Sequence, residues 1–255
     1  MNLRKEKKVA ILAAKRASKV MLEYWNKKRE YKLKDNNSFV TTADLEANKV
    51  IINTIKQNFP SHSILSEETG LLDNNSDFKW VIDPIDGTHN FIHGIPFFGT
   101  SIAIEYKSEV VIGVIDFPLL ELTAIAEKGK GAFLNTKRIK VSDTKSLELA
   151  YIMIEFSNTG RKRKIDFLNK ILPKAADFRD FGSAVYHLLL IACGKADCYT
   201  IFATNEWDVA AGFLIVEEAG GKITDLKGKK WNFRDRQYVV SNGRIHKKIL
   251  SYTRK

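Results

Sequence analysis

The chain has 255 residues, 44% hydrophobic and 28% charged, and a formal net charge of +11. That length and balance fit one large globular unit or two fused lobes with a substantial core, and they exclude a disordered chain. No run of about 18 apolar residues occurs, so no transmembrane helix is expected.

The stretch MNLRKEKKVAILAAKRASKV pairs charges with a short apolar segment that Lys15 and Arg16 interrupt. A secretory leader needs a longer apolar core. Residues 5–31 therefore read as one amphipathic helix, with Val9, Leu12, Ala13, Val20 and Leu22 on one side. A loop, KDNNSFVTTAD, follows. Thr42 or Asp44 caps the next helix, which runs through LEANKVIINTIKQNF and stops at Pro60. SHSILSEETG is a short strand ending on Glu67 and Glu68, NNSD a turn, and FKWVIDPIDGT a strand. GTHNFIHG supplies one or two helical turns broken by Gly94 and Pro96. The next segment, FFGTSIAIEY to GAFLN, reads as three or four antiparallel strands with a hairpin at KSE and a glycine turn at KGKGAF.

After about residue 146 strands and helices alternate: LAYIMIEF, KIDFLNKIL, DFRDFG, SAVYHLLLIACG, ADCYTIF, WDVAAGFLIVEEAGG, then KITDL and QYVVSN. That order is α/β. Two lobes follow, an α+β lobe over 1–145 and an α/β lobe over 146–255, fused as one compact unit. Cys193 and Cys198 lack a second pair at zinc spacing and read as buried, reduced thiols of a cytoplasmic protein. Basic blocks at 4–8, 26–34 and 161–164 (RKRK) are most simply solvated faces, although they permit an anionic partner.

Acidic residues sit where apolar elements stop: Glu67 and Glu68, Asp83 and Asp86, and Asp208. Alone, the glutamates read as a surface pair and Asp208 as a helix cap. Together, carboxylates without cysteine or histidine at ligand spacing suit hard cations such as Mg²⁺ or Mn²⁺. Asp83 and Asp86 flank Pro84 and Ile85 and can converge on one side, with the Ile85 carbonyl as a neutral ligand. Gly87 and Thr88 then open a helix, where backbone N–H groups bind anions. A cation beside an anion site points to phosphate-ester chemistry. A nucleotide kinase or hydrolase lacks support, because GIPFFGT carries no Walker lysine.

WVIDPIDGTHNF at 80–91 and WDVAAG at 207–212 resemble the two signatures of the inositol monophosphatase family, lithium-sensitive and magnesium-dependent phosphatases. SEE at 66–68, TTAD at 41–44, FGSAVYHLLLIACGKADCY and EEAGGKITDLKG extend the resemblance over nearly the whole chain. It implies a layered α-β-α-β-α sandwich, with an antiparallel N-terminal sheet and a mixed C-terminal sheet, usually as a homodimer. Glu67, Asp83, the Ile85 carbonyl and Asp86 would hold the activating Mg²⁺, and Asp83, Asp86 and Asp208 a second. Two or three Mg²⁺ per site are implied, with Mn²⁺ as a substitute and Li⁺ as an inhibitor. Thr88, hydrogen-bonded to Asp44, would orient the attacking water at the Glu67 metal. The amides of Gly87 and Thr88 would bind phosphate, with Asp86 and Asp208 beside the substrate and Gly182, Ser183 and Ala184 lining its pocket. His89, His93 and His187 are then structural or peripheral.

The implied reaction is in-line attack by a metal-activated water on inositol 1-phosphate. Inositol-specific members carry a glutamate seven residues before the second-metal aspartate, where this chain has Ile201. ILSEE and TNEWDVAAG resemble the branch acting on adenosine 3′,5′-bisphosphate, whereas HNFIHGIPFF and GKGAFLNTKRIKVS resemble the bacterial inositol monophosphatases of extragenic suppressor type, so that ester or another sugar phosphate is the alternative. Some bacterial members associate with RNA polymerase and antitermination factors. Binding of RNA or a transcription complex is thus a non-enzymatic alternative, which the charge and RKRK fit.

Overall fold

Residues 2–27, 30–33, 39–156 and 160–253 are described in the computed structural model. Helix α1 (Arg4–Trp25) buries Val9, Ala10, Ala13, Ala14, Ala17 and Met21, a stripe spaced three and four apart. Its alanines leave room for close packing against α2 (Thr42–Asn58). Leu12 and Leu22, expected on that stripe, lie off it and are 42% and 37% exposed. The helix also stops short of the expected residue 31. Among the described residues of the helix none beyond Met21 is fully buried, and Tyr24 and Trp25 make its last contacts with the core. Tyr31–Leu33 (β1) instead pairs antiparallel with Phe39–Thr41 (β2), which shortens the expected loop. Residues 34–38 of that loop, and Lys28, Arg29 and Lys34 of the basic block, lie outside the described residues.

The first sheet contains β3 (Ser63–Ser66), β4 (Gly70–Leu72) and β5 (Phe78–Asp86). After the short helix α3 (Thr88–His93) come β6 (Gly99–Tyr106), β7 (Glu109–Phe117), β8 (Leu122–Glu127), β9 (Ala132–Leu134) and β10 (Lys137–Arg138). The eight strands lie in the order β10-β9-β8-β7-β6-β5-β3-β4. The stretch from 97 to 135 thus holds four strands, β6 to β9, the upper number expected, and the two-residue β10 lies just beyond it. Lys107 and Ser108 both take positive φ in the β6–β7 turn, the backbone of a primed two-residue hairpin at KSE. One pair departs from the antiparallel expectation: β3 and β5 are parallel. Strand β4 folds back on the outer side of β3, so β5 adds on the inner side and runs the same way.

The second sheet alternates with helices: β11 (Tyr151–Ile154), α4 (Arg161–Ile171), β12 (Asp177–Arg179), α5 (Ala184–Ala192), β13 (Cys198–Ile201), α6 (Glu206–Glu218), β14 (Lys222–Asp225), β15 (Tyr238–Ser241) and α7 (His246–Thr253). Its order is β12-β11-β13-β15-β14. The first three strands are parallel and the last three antiparallel, the mixed sheet expected. Helix α7 escapes the sequence reading because it is short and three lysine or histidine residues interrupt or open its apolar pattern.

Three cores separate five layers. Trp80 and Ile82 of β5 pack with α1 and α2, while Val81 between them packs with α5 and α6 on the opposite face. Helix α6 is buried continuously from Val209 to Val216, as a helix held between two sheets must be. Beyond the second sheet, Phe167 and Ile171 of α4 and Ile249 and Leu250 of α7 close the third core. The result is the α-β-α-β-α sandwich. Among the described residues no helix is long and apolar enough to cross a membrane.

The two halves meet closely where Gly113 of β7 faces α6. A Cβ there would lie 2.6 Å from the Ala211 carbonyl oxygen and 3.1 Å from its Cα. Both are backbone atoms and cannot swing aside. Gly113→Ala is therefore expected to cost about 2 kcal/mol and lower the Tm by ~4 °C. An unchanged melting curve would show that the sheet and helix part without penalty.

Candidate active site

Residues three apart on a regular strand face opposite sides of a sheet. Asp83 pairs with Ser101 of β6 and Asp86 with Gly99, so three steps on β5 match two on β6. This bulge brings both aspartates to one face. Pro84 sits at the bulge, where a missing N–H breaks no ladder. Gly87 follows with φ 84°, and a Cβ there would lie 2.6 Å from the Phe97 carbonyl oxygen, so only glycine fits.

Thr88 opens α3. Its hydroxyl proton is shared between Asp44 Oδ1 at 3.2 Å and the Ile85 carbonyl at 3.0 Å. Asp44 is held by the start of α2. The N-cap there is Thr41, one residue before the expected Thr42, and Asp44 completes a capping box as the third helical residue. Asp44 Oδ2 accepts from Thr41 N at 2.7 Å and Thr41 Oγ1 at 2.5 Å. Asp208 repeats the device at α6, its Oδ2 accepting from Asn205 N at 2.8 Å and Thr204 Oγ1 at 2.9 Å. In both, one carboxylate oxygen serves the helix and leaves the other for the site.

Glu67 extends β3, its N–H donating to the Ile82 carbonyl at 3.2 Å. Ser66 before it is fully buried and donates to Asn48 Oδ1 at 2.7 Å, fixing the turn that carries both glutamates. Asp86 Oδ2 accepts from Ser183 Oγ, and Ser183 also caps α5 by accepting from Tyr186 N at 3.0 Å. Gly182 takes φ 66°, and a Cβ on it would lie 3.0 Å from Asn90 Oδ1. Ala184 begins α5, half-buried beside this turn.

Several residues that organise the site are not among those singled out from the sequence. Asn90 Nδ2 donates to the Phe181 and Phe97 carbonyls at 2.6 and 2.8 Å, tying α3 to the Gly182 turn. Thr204 and Asn205 position Asp208, and Asn48 fixes Ser66. The Thr204-Asn205-x-x-Asp208 spacing is a capping box, the one signal from which part of this set was readable. The histidines stand aside as expected. His89 and His93 are exposed. His187 is fully buried; its Nε2 accepts from Phe181 N at 2.8 Å, which requires a neutral ring. The Asp180 oxygen 3.6 Å away is then a neighbour and not an ion-pair partner, and burial pushes the imidazole down to about 4.

Electrostatically the buried acids repel one another: Glu67 raises the carboxyls of Asp44, Asp83, Asp86 and Asp208 alike. Burial, then Glu67, Asp86, Asp208 and Asp44, hold the Asp83 carboxyl well above the usual carboxylate range. Burial pushes Asp86 up to about 8 despite the Ser183 hydrogen bond, with Asp208 and Glu67 adding to the shift. Burial likewise raises Asp208 and Asp44 to about 7, against the hydrogen bonds that their capping partners supply. Among the described residues no lysine or arginine is a leading influence on these four aspartates. Asp83 Oδ1 is buried with no hydrogen-bond partner. Such an orphaned oxygen is costly unless something absent from the polypeptide satisfies it.

Among the described residues no three such side chains are closed around a common point as a metal cage. Asp44, Asp86 and Asp208 each turn an oxygen to a local donor instead. The donor chemistry nevertheless fits a hard cation: oxygen ligands only, surplus negative charge and one unsatisfied oxygen.

Comparison with known proteins defines the class. The family model "Inositol monophosphatase family" matches residues 2–255, and the chain belongs to that family. It is a phosphatase of the inositol monophosphatase type. Among its relatives, the Thermotoga maritima fructose-1,6-bisphosphatase/inositol-1-monophosphatase is 39% identical over 215 residues, 83% of this chain and 80% of that one. Nus factor SuhB of Pasteurella multocida is 36% identical over 249 residues, covering 95% and 93%. The crystal structure of the extragenic suppressor protein suhB from Bartonella henselae superposes with a TM-score of 0.93 at 33% identity, over 97% and 98% of the two chains.

The raised carboxyls set a pH dependence. A group raised when folded contributes stability fully present below its unfolded value, here 3.8, and lost as the pH climbs through about 7 and 8. The buried histidines, lowered to about 4, change the slope only below their unfolded 6.5. Chelator-treated protein should therefore lose several degrees of Tm between pH 6.5 and about 8.5, and a divalent cation should restore more at the higher pH. A flat profile in scanning fluorimetry would mean that the carboxyls do not share an uncompensated site.

Proposed function

We propose that the protein is a Mg²⁺-dependent phosphomonoesterase, with inositol 1-phosphate as its leading substrate. The observation that carries this reading is the buried, partnerless Asp83 Oδ1 among carboxyls that raise one another. Glu67, Asp83, Asp86 and the Ile85 carbonyl would hold one ion, and Asp83, Asp86 and Asp208 a second. Bound Mg²⁺, or Mn²⁺ in its place, supplies charge neutralisation and acidifies a water, and Li⁺ would inhibit by displacing it. Residues 1–145 would carry the metal site and residues 146–255 would shape the substrate pocket.

The chain's own groups divide the remaining work. Thr88 Oγ, held between Asp44 and the Ile85 carbonyl, orients the attacking water. Asp44, raised to about 7, is matched to accept a proton through Thr88 near neutral pH. The amides of Gly87 and Thr88 hold the phosphate, and no side chain intrudes at Gly87. Ser183 fixes the rotamer of Asp86. Gly182, Ser183 and Ala184 border the alcohol. Adenosine 3′,5′-bisphosphate and fructose 1,6-bisphosphate are the competing esters, the second because the Thermotoga maritima relative carries that name.

Asp83→Asn and Asp208→Asn should each lower Mg²⁺-dependent phosphate release by about 100-fold or more. Asp83→Asn should leave the metal-free Tm unchanged or raised, because it removes an uncompensated charge. Phosphate release from a panel of these esters measures both effects, and full activity in either variant would overturn the assignment.

Relatives named as Nus factors support a second reading, in which a cytoplasmic homodimer also contacts RNA or a transcription complex. Arg161, Lys162 and Arg163 are exposed and suit such a role, whereas Lys164 of the same run is buried. RNA binding that survives Asp83→Asn and weakens steeply with salt is the expected outcome; no binding at low salt would remove this reading.

A further inference from the structure

Ile201, seven residues before Asp208, where inositol-specific members carry a glutamate, is 2% exposed and packs into the central core. It cannot reach a ligand. The neighbouring parallel strand carries an acid to the same level. Register pairs Ile154 of β11 with Thr200 of β13, and one step further sets Glu155 beside Ile201. Ligands of such sheets bind beyond the carboxyl ends of parallel strands, and Glu155 stands at that end of β11.

Glu155 belongs to a built polar cluster. Tyr199, fully buried in β13, donates its hydroxyl to Glu155 Oε2 at 3.4 Å. Lys164, whose side chain is 4% exposed, places its Nζ 4.0 Å from Glu155 Oε1. Glu155 itself keeps 28% of its side chain accessible. The cluster adjoins the carboxylate site: Glu155 adds to the raised pKa of Asp208, and both Asp86 and Asp208 act on the Tyr199 hydroxyl. Asp180 lies near, but its two oxygens accept from Phe156 N and Gly182 N at 2.8 Å and are committed to the turn.

We propose that Glu155 is the specificity-determining contact for the alcohol part of the ester, accepting hydrogen bonds from hydroxyls next to the phosphate. A carboxylate accepts about four hydrogen bonds and donates none. With Tyr199 on one oxygen and Lys164 beyond hydrogen-bonding distance of the other, Glu155 has acceptor positions to offer. It recognises a polyhydroxylated alcohol and repels a second phosphate at the same place. The Lys164 ion pair holds the carboxylate at the rim, and Ile201 is free to be a core residue because the acid has moved one strand over.

This inference rests on the phosphomonoesterase reading, and its test separates the two. Mg²⁺-dependent turnover of para-nitrophenyl phosphate, which has no hydroxyls on its alcohol, reads the phosphatase itself. Glu155→Gln should raise the KM for myo-inositol 1-phosphate by about tenfold while changing kcat by less than about twofold. The same variant should shift the KM for para-nitrophenyl phosphate by less than about twofold. Fructose 1,6-bisphosphate should become a relatively better substrate as the repulsion is removed. Glu155→Asp keeps the charge beside Lys164 but withdraws it by one methylene, so it should show the same split if the glutamine variant fails to fold. Equal KM changes for both monoesters, or no change for either, would overturn the role of Glu155 alone. No turnover of any ester by the unaltered protein would overturn both readings.

Discussion

Between Asp83 and Asp86, strand β5 carries one residue more than the strand it pairs with. Without that bulge the two carboxyls would face opposite sides of the sheet, and one would point into the apolar core beneath α1 and α2. With it they share a face, and the rest of the site is placed around that face. Gly87 turns the chain against Phe97, Thr88 returns to the Ile85 carbonyl, and Asn90 ties the short helix to the Gly182 turn. The arrangement concentrates negative charge in a buried place, so the polypeptide alone leaves an oxygen unsatisfied. Fold stability and function pull in opposite directions here, as they commonly do at active sites.

The helix caps explain how strongly charged groups are held in a largely apolar surround. Asp44 and Asp208 occupy equivalent positions at the starts of α2 and α6, each the third helical residue in a capping box. Asp208 is thus not the cap expected of it, which is Asn205, but the third helical residue whose side chain closes the box. One oxygen anchors the side chain to backbone, and the helix supplies rigidity that a loop carboxylate would lack.

The alternation of strands and helices after residue 146 is legible because the strands are short apolar runs, whereas the helices are longer ones closed by glycine or proline. The DPIDGT turn was legible because two acids, a proline and a glycine rarely close an apolar strand together. The parallel pairing of β3 with β5 was not, since it depends on which side of β3 its hairpin partner occupies. The end of α1 differs from the expected residue 31 because the charged run past Trp25 carries no glycine or proline stop signal, so its sequence does not mark the cap at Asn26. Thr41 and Thr42 are equivalent as caps until the backbone of the preceding strand selects one. Asn90 and Glu155 act through contacts with segments far along the chain, at Phe181 and at Tyr199 and Lys164, which local spacing does not encode.

Asp208 is borne by a helix with neighbours on every side. Helix α6 lies between two sheets, and its residues from Val209 to Val216 are all withdrawn from water. Opening it locally would expose the central core to water along both sheets, so its amides should exchange with solvent only when the whole molecule unfolds. The β1–β2 pair, with Tyr31 54% and Leu33 60% exposed, has no such protection. One rim of the candidate site is thus as durable as the fold itself.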